Sequence, residues 1–462
     1  MTPVTPTISI EPALMHRSLH EQPLLIASAA GNTLYPAGPG SHPILDFCGG
    51  AAVTMLGHSH PEIIAAITAQ LQSVSYIHTA AYTSASAEAL AHAVLAHDDS
   101  GSMARVYFAG SGSEATDAAL KLARQFWVEK GQPGRTHFVA RRQGYHGNTL
   151  GAMSVSMNKA RRAPYEDVLM PNVSFVSPAY AFQYMRETGC TTEEEYSQWL
   201  ADELEAEFLR LGPENVVCFI AETMVGATSG CVTAPCGYWP KIRKVCTKYD
   251  VLLVLDEVMC GAGRTGSFFA FKEEGIVPDI VTIGKGLGAG YIPLSAVLAN
   301  RRIVEALRAG SAAFNHGHTF QAHALACASA LKVQEIVQRD GLLQRCAQMG
   351  ELLRQKVFEA MASCKYVGEI RGRGLFWGIE FVNDKDTRKP FEGHVNFGPR
   401  VQAVALEKGV AIYPGHGTID GVLGDHVLLA PAFTISEEEI ATAVTVLKEA
   451  YHVVEAEVDT TL

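Results

Sequence analysis

Lys285 stands between two glycines directly behind the apolar run Ile280–Ile283. Apart from Asp279, the ten residues on either side of it carry no charge. An amine in such surroundings is desolvated, which lowers its pKa and favours the neutral nucleophile that imine formation needs. Residue type alone proves little, because most lysines are solvated surface groups. Asp256, 29 positions upstream, closes the apolar run Val251–Asp256 and is followed by Glu257 and Val258. A carboxylate at the carboxyl end of a buried parallel strand lies where open α/β sheets bind ligands. It can hold a ring nitrogen protonated and so improve the ring as an electron sink; a helix-capping Asp is the plain alternative. The third element is the Gly110-Ser111-Gly112-Ser113 turn in RVYFAGSGSEATDAALKLAR, Arg105 to Arg124. Glycines let backbone N–H groups approach an anion, and a following helix adds its dipole, so the turn suits a phosphate. It carries neither the Gly-Lys-Ser/Thr of a Walker loop nor dinucleotide spacing, which disfavours a nucleotide-binding dehydrogenase.

These residues need a scaffold that brings them to one edge. Short apolar runs at Arg105–Phe108, Thr136–Ala140, Val216–Ala221, Val251–Asp256, Ile280–Ile283 and Leu294–Leu298 alternate with helix-length amphipathic stretches. Such runs predict an α/β fold, a mostly parallel sheet covered by helices on both faces. The first fifty residues, rich in Pro and Gly, predict a small hairpin, and a helix begins at Pro61 with Ile63, Ile64, Ile67 and Leu71 on one face. A helix is expected over Gln321–Arg339, strands over Ile370–Val382, and a last helix capped by Ser436 with Glu437, Glu438 and Glu439 in its first turn. The expected organisation is an N-terminal segment of a small α+β domain at 1–57, a large domain at 58–335, and the C-terminal part of the small domain at 336–462.

The bulk composition is consistent with this. The chain has 462 residues, 48% of them apolar and 18% charged, enough to bury a large core, with a formal net charge of −11 and no Lys/Arg-rich run. Nucleic-acid binding is therefore not indicated. Most of the four residues in the pairs Arg141-Arg142 and Arg161-Arg162 read as solvated loop residues. Ten cysteines without paired spacing read as reduced, mostly buried thiols, with no zinc site. Met1 to Pro12 has no secretion-leader pattern and no run reaches transmembrane length, so a cytoplasmic protein is expected.

In this order, the motifs resemble those of the class III (ω-type) aminotransferases, fold-type I enzymes that depend on pyridoxal 5′-phosphate (PLP). The resemblance rests on LDFCGGAAVTMLGHSHPEI from Leu45, FAGSGSEATDAALKLAR from Phe108, GYHGNTLGA from Gly144 and AETMVGATSGC from Ala221. It continues with LDEVMCGAGRTG from Leu255, GKGLGAGYIPLSAV from Gly284 and NHGHTFQAHALACASAL from Asn315, and so covers nearly the whole chain. It implies that Lys285 binds PLP as a Schiff base and shuttles a proton. It implies further that Asp256 pairs with the pyridine nitrogen, with Glu222 hydrogen-bonded behind it, and that Ser111, Gly112 and Ser113 cradle the phosphate. Tyr145 and Val258 would clamp the ring, and Thr319 would reach the phosphate of the neighbouring subunit, making the active unit a homodimer. His146 and Arg264 are expected to be structural, Arg264 in an ion pair.

Two departures narrow the chemistry. Family members that use 2-oxoglutarate through an Arg after Tyr-His-Gly have that Arg where this chain has Asn148, and commonly Gln where it has Met259. Both resemble the branch that transfers amino groups from amines or ω-amino acids to pyruvate. A further family Arg near the C-terminal Pro motif is replaced by Leu428 or Leu429, which leaves His416, Arg162 and Arg400 as candidate carboxylate ligands. Gly49, Gly50, Ala51 and Ala52 are expected to leave room for a bulky donor. The expectation is ping-pong transamination from an amine or ω-amino acid to a keto acid. A PLP-dependent racemase, aminomutase or lyase is the rival, and a nonenzymatic PLP-fold binding protein a more distant one.

Overall fold

The computed structural model describes residues 13–460; the expectation about Met1 to Pro12 lies outside them. Its centre is a seven-stranded sheet with the spatial order Met103–Ala109, Ser295–Asn300, Ile280–Ile283, Leu252–Glu257, Val216–Glu222, His137–Arg141 and Val173–Val176. Every adjacent pair is parallel except the two made by Ser295–Asn300, which runs antiparallel to both neighbours. Val216–Glu222 and Leu252–Glu257 are buried along their whole length, as continuous apolar strands between two helical layers must be. All six expected runs form strands. Val173–Val176 is a seventh that was not expected; its four residues form an edge strand too short to give a clear pattern.

Register decides what the sheet does. Asp256 pairs with Glu222 on one side and with Thr282 on the other, so three polar side chains meet at one level near the carboxyl ends of three adjacent strands. Lys285 follows three residues beyond Thr282, at the same edge.

Both ends of the chain build the two four-stranded sheets. The N-terminal hairpin Ile26–Ala30 and Thr33–Pro36 pairs onto Ile44–Asp46, which in turn pairs in parallel with Val410–Ala411. A four-stranded antiparallel sheet orders Val367–Arg373, Phe376–Phe381, Asp425–Leu429 and Tyr413–His416. Helices Leu342–Met361 and Glu437–Asp459 pack against this region through Leu353, Val357, Leu447 and Tyr451. The last helix starts at a full capping box: the Ser436 hydroxyl accepts from Glu439 N and the Glu439 carboxylate accepts from Ser436 N. The helix expected from Gln321 begins three residues later, at Ala324, because Ala322 takes a left-handed conformation that helical backbone excludes. No helix among the described residues is long and apolar enough to cross a membrane.

Candidate active site

A cavity of about 420 Å³ opens at the strand ends, lined by Ser111, Gly112, Ser113, Tyr145, His146, Glu222, Asp256, Val258 and Lys285 among others. Of the residues expected to hold the cofactor, only Thr319 does not line it; Thr319 is exposed on the segment before helix Ala324–Arg339.

The Gly-Ser turn opens the 18-residue helix Gly112–Glu129. The Ser111 hydroxyl accepts from Glu114 N at 3.2 Å, and the Glu114 carboxylate accepts from Gly110 N at 2.7 Å, which fixes the helix entrance. Ser295 Oγ donates to Ser111 O at 2.6 Å and ties the turn to the sheet. A Cβ on Gly112 would stand 2.8 Å from Val258 Cγ1, so glycine is required for the turn to lie this close to the Val258 side chain. Gly147 has a positive φ of 137°, and a Cβ there would meet Ser113 Cα at 2.8 Å.

Asp256 is held from three directions. Oδ1 accepts from Val258 N at 2.9 Å and from Thr282 Oγ1 at 3.2 Å, while Oδ2 lies 2.7 Å from His146 Nδ1. Glu222, expected to hydrogen-bond Asp256, instead accepts from Tyr145 N at 3.0 Å and from Gly226 N at 2.9 Å. Adjacent carboxylates repel, so Glu222 turns to backbone donors and the His146 imidazole takes the place behind Asp256. Burial pushes the Glu222 carboxyl up, as does the nearby Asp256 charge, against the His146 ring and these two N–H groups. His146, expected to be structural, is therefore part of the site; its aim depends on the turn after Tyr145, which residue spacing does not reveal. Thr282 was also missed, although strand register places it beside Asp256.

The Lys285 amine is held below the usual lysine range by burial, opposed by the charges of Glu222 and Asp256. Its own φ is 42°, a left-handed conformation imposed where the strand breaks into the turn Lys285–Gly288.

Arg264 is structural, as expected, but not through an ion pair. Its buried guanidinium donates to the carbonyls of Leu375 at 3.2 Å, Pro431 at 2.5 Å and Ala52 at 3.5 Å, and burial lowers its pKa to about 10. It stitches three distant segments by their backbones, where a carboxylate would have added a second buried charge.

The suggested carboxylate ligands do not line the cavity. Arg162 is engaged by Glu166 and the Ser156 carbonyl, Arg400 by Glu457, and His416 by Asp425. Leu428 and Leu429 are buried strand residues. The cavity wall instead carries Arg17 and Arg161, besides Ala51, Val53 and Met259. Asn148 lies outside it, bonded through its N and Oδ1 to Ser113 Oγ at 3.0 and 2.9 Å.

A carbonyl-bearing pyridine phosphate fits this donor set. A helix entrance freed of side chains at Gly112 suits the phosphate, a fixed carboxylate suits the ring nitrogen, and a desolvated amine suits the carbonyl. The volume falls in the range of roughly 300–1,000 Å³ usual for small-molecule and cofactor sites.

A mixed α/β sheet with these groups at its strand ends defines a fold-type I PLP enzyme. Residues 14–451 match the family model for aminotransferase class-III, and the chain belongs to that family. It is 46% identical to an uncharacterized aminotransferase of Schizosaccharomyces pombe over 94% of each chain. It is 36% identical to a diaminobutyrate–2-oxoglutarate transaminase of Halomonas elongata, over 86% of this chain and 83% of that one. Among solved structures, an amine transaminase from an uncultivated Pseudomonas species in its PLP-bound form superposes with a TM-score of 0.88. That match is at 31% identity and covers 97% of this chain and 99% of that one. The protein is a PLP-dependent aminotransferase, and the racemase, aminomutase or lyase reading is not favoured.

Proposed function

We propose that the enzyme moves an amino group from an amine or ω-amino acid to pyruvate in two half-reactions, the oxo product leaving before the keto acid binds. The observation that carries this is the meeting of Lys285, Asp256 and the Gly112–Glu129 helix entrance in one cavity. When bound, PLP supplies the reactive carbonyl and an electron-withdrawing ring. Lys285 Nζ would hold PLP covalently and, when free, would carry the proton that leaves the donor carbon. Asp256 holds the ring nitrogen protonated, kept in place by His146, Thr282 and Val258 N. Glu222 anchors the Tyr145 backbone, and Tyr145 and Val258 would bound the ring on opposite faces. Ser111, Gly112 and Ser113 hold the phosphate.

The active unit is a homodimer in which Thr319 reaches the neighbouring subunit's phosphate, a role its exposed position supports. The division at 57 and 335 separates a large cofactor-binding domain from a small one made of both chain ends. Ten free cysteines favour a reducing compartment, and we place the protein in the cytoplasm. Pyruvate as acceptor rests on Asn148, which is held against Ser113 Oγ by its backbone N and its side-chain oxygen and offers no cation for a second carboxylate. The Halomonas relative takes 2-oxoglutarate by its name, so the acceptor is the point to test. Donor amines and ω-amino acids are expected to bleach the visible absorption of the bound cofactor and, crossed with pyruvate and 2-oxoglutarate, to turn over best with pyruvate. A strong preference for 2-oxoglutarate would overturn the acceptor assignment.

A further inference from the structure

Arg161 has a placement that the functions above do not use. It lines the cavity that holds Lys285 and also an adjoining one lined by Asn148, Ser156 and Tyr165, and Arg17 and Tyr145 share that junction. Its guanidinium carbon lies 4.8 Å from the centre of the Tyr145 ring. Stacking uses the flat face of a guanidinium and leaves its N–H edge open for a planar, bidentate acceptor. Among the described residues it has no carboxylate partner, unlike Arg162 next to it.

The position is built. Asn158 Oδ1 accepts from Arg161 N at 3.2 Å and caps the short helix Lys159–Arg162. Gly421 packs so closely on that helix that a Cβ there would stand 2.8 Å from Lys159 N. Gln143 Nε2 donates to the Gly417 and Thr418 carbonyls at 3.2 Å each and holds the same C-terminal loop. The two carboxylates that line the cavity, Glu222 and Asp256, already have hydrogen-bond donors. The cavity thus presents a cation that, among the described residues, neither of these carboxylates engages.

We infer that Arg161 is the specificity-determining cation of this enzyme, binding through its N–H edge the distal carboxylate of an ω-amino acid donor. Arg17, at the same junction, adds a second positive charge to the site. This inference rests on the aminotransferase reading and adds the recognition element that the Asn148 position lacks. Charge also acts at a distance here, since Arg161 contributes to the lowering of the Lys285 amine. A donor carboxylate seated on Arg161 would offset that contribution.

The test uses holoenzyme and the variants Arg161→Met and Arg161→Lys, with ω-amino acids of three to six carbons and alkylamines of matched length. Arg161→Met is expected to lower kcat/KM for the ω-amino acids about 10- to 100-fold, the loss of a charge-assisted bidentate contact. The matched alkylamines should change less than about twofold, and Arg161→Lys should recover only part of the loss because it lacks the fork. Calorimetry with pentanoate, which cannot react, should detect binding to the wild type and none to Arg161→Met. Equal losses on both donor classes, unchanged pentanoate binding, or a raised PLP dissociation constant in Arg161→Met would overturn the inference, the last by assigning Arg161 to the cofactor. If no amine bleached the wild-type band, the aminotransferase reading would fail, and pentanoate binding would still decide the role of Arg161.

Discussion

His146 Nδ1 lies 2.7 Å from Asp256 Oδ2, and both side chains are buried at the end of the strand Leu252–Glu257. A hydrogen bond to a buried carboxylate fixes its aim as well as its charge. His146→Ala is expected to lower kcat/KM roughly 10- to 100-fold, the worth of one hydrogen bond to a charged group. Its PLP dissociation constant should rise as well. Turnover and cofactor titration of the purified variant check this; an unchanged kcat/KM would show that Asp256 needs no support from the ring.

The Lys285 amine makes a prediction with a sign. Its pKa is depressed in the folded protein and 10.5 is its ordinary value. Below pH 10.5 the unfolded chain therefore binds more protons at this site, and its contribution to stability grows as pH rises towards 10.5. Without PLP, Lys285→Met should melt at a higher temperature than the wild type at pH 7, by a margin that shrinks by pH 10. The same variant should show no turnover with any donor. A constant margin across pH would mean that Lys285 is not desolvated.

Gly112 and Val258 are in steric balance. Gly112→Ala brings a Cβ to 2.8 Å of Val258 Cγ1 and should weaken PLP binding by about 1–3 kcal/mol, the usual cost of overpacking. Val258→Ala in the same chain should recover part of that loss. Equilibrium dialysis of the cofactor against the single and double variants measures the coupling, and additive effects would count against the contact.

Arg264→Met removes the donor shared by three buried carbonyls. The expected loss is about 3 kcal/mol of stability, because those acceptors lose their partner. Below the melting transition, kcat per folded molecule should stay close to wild type. Denaturant titration and active-site counting separate the two quantities.

Much of the scaffold could be read from residue patterns, for a reason that also marks the limit. Runs such as Val216–Ala221 and Val251–Asp256 are apolar throughout because both faces of the sheet are covered. The edge strand Val173–Val176 has no such constraint and was missed. Lys285, Asp256 and the Ser111–Ser113 turn could be placed at one edge because each follows or ends a strand with a clear signature, whereas Tyr145 and Val258 were placed only by the family resemblance. Side-chain direction could not be placed in that way. Arg161 and Arg162 are adjacent on one short helix, yet successive helical residues point about 100° apart. One faces the cavity and the other is spent on Glu166 and backbone. His146 stands behind Asp256 in the place expected of Glu222 for a similar reason, since spacing gives the strand level and not the partner.

The pairing of Ile44–Asp46 with Val410–Ala411 has a consequence for how the protein is made. Leu45 N donates to Gly409 O at 2.8 Å and Phe47 N to Ala411 O at 3.0 Å, so this strand waits for a partner translated much later than itself. Ala51 and Val53, which follow that strand, line the cavity. On the ribosome the Lys285 edge can assemble from contiguous sequence while this wall is still unanchored. The nascent chain thus carries its reactive groups before this wall of the cavity is anchored around them.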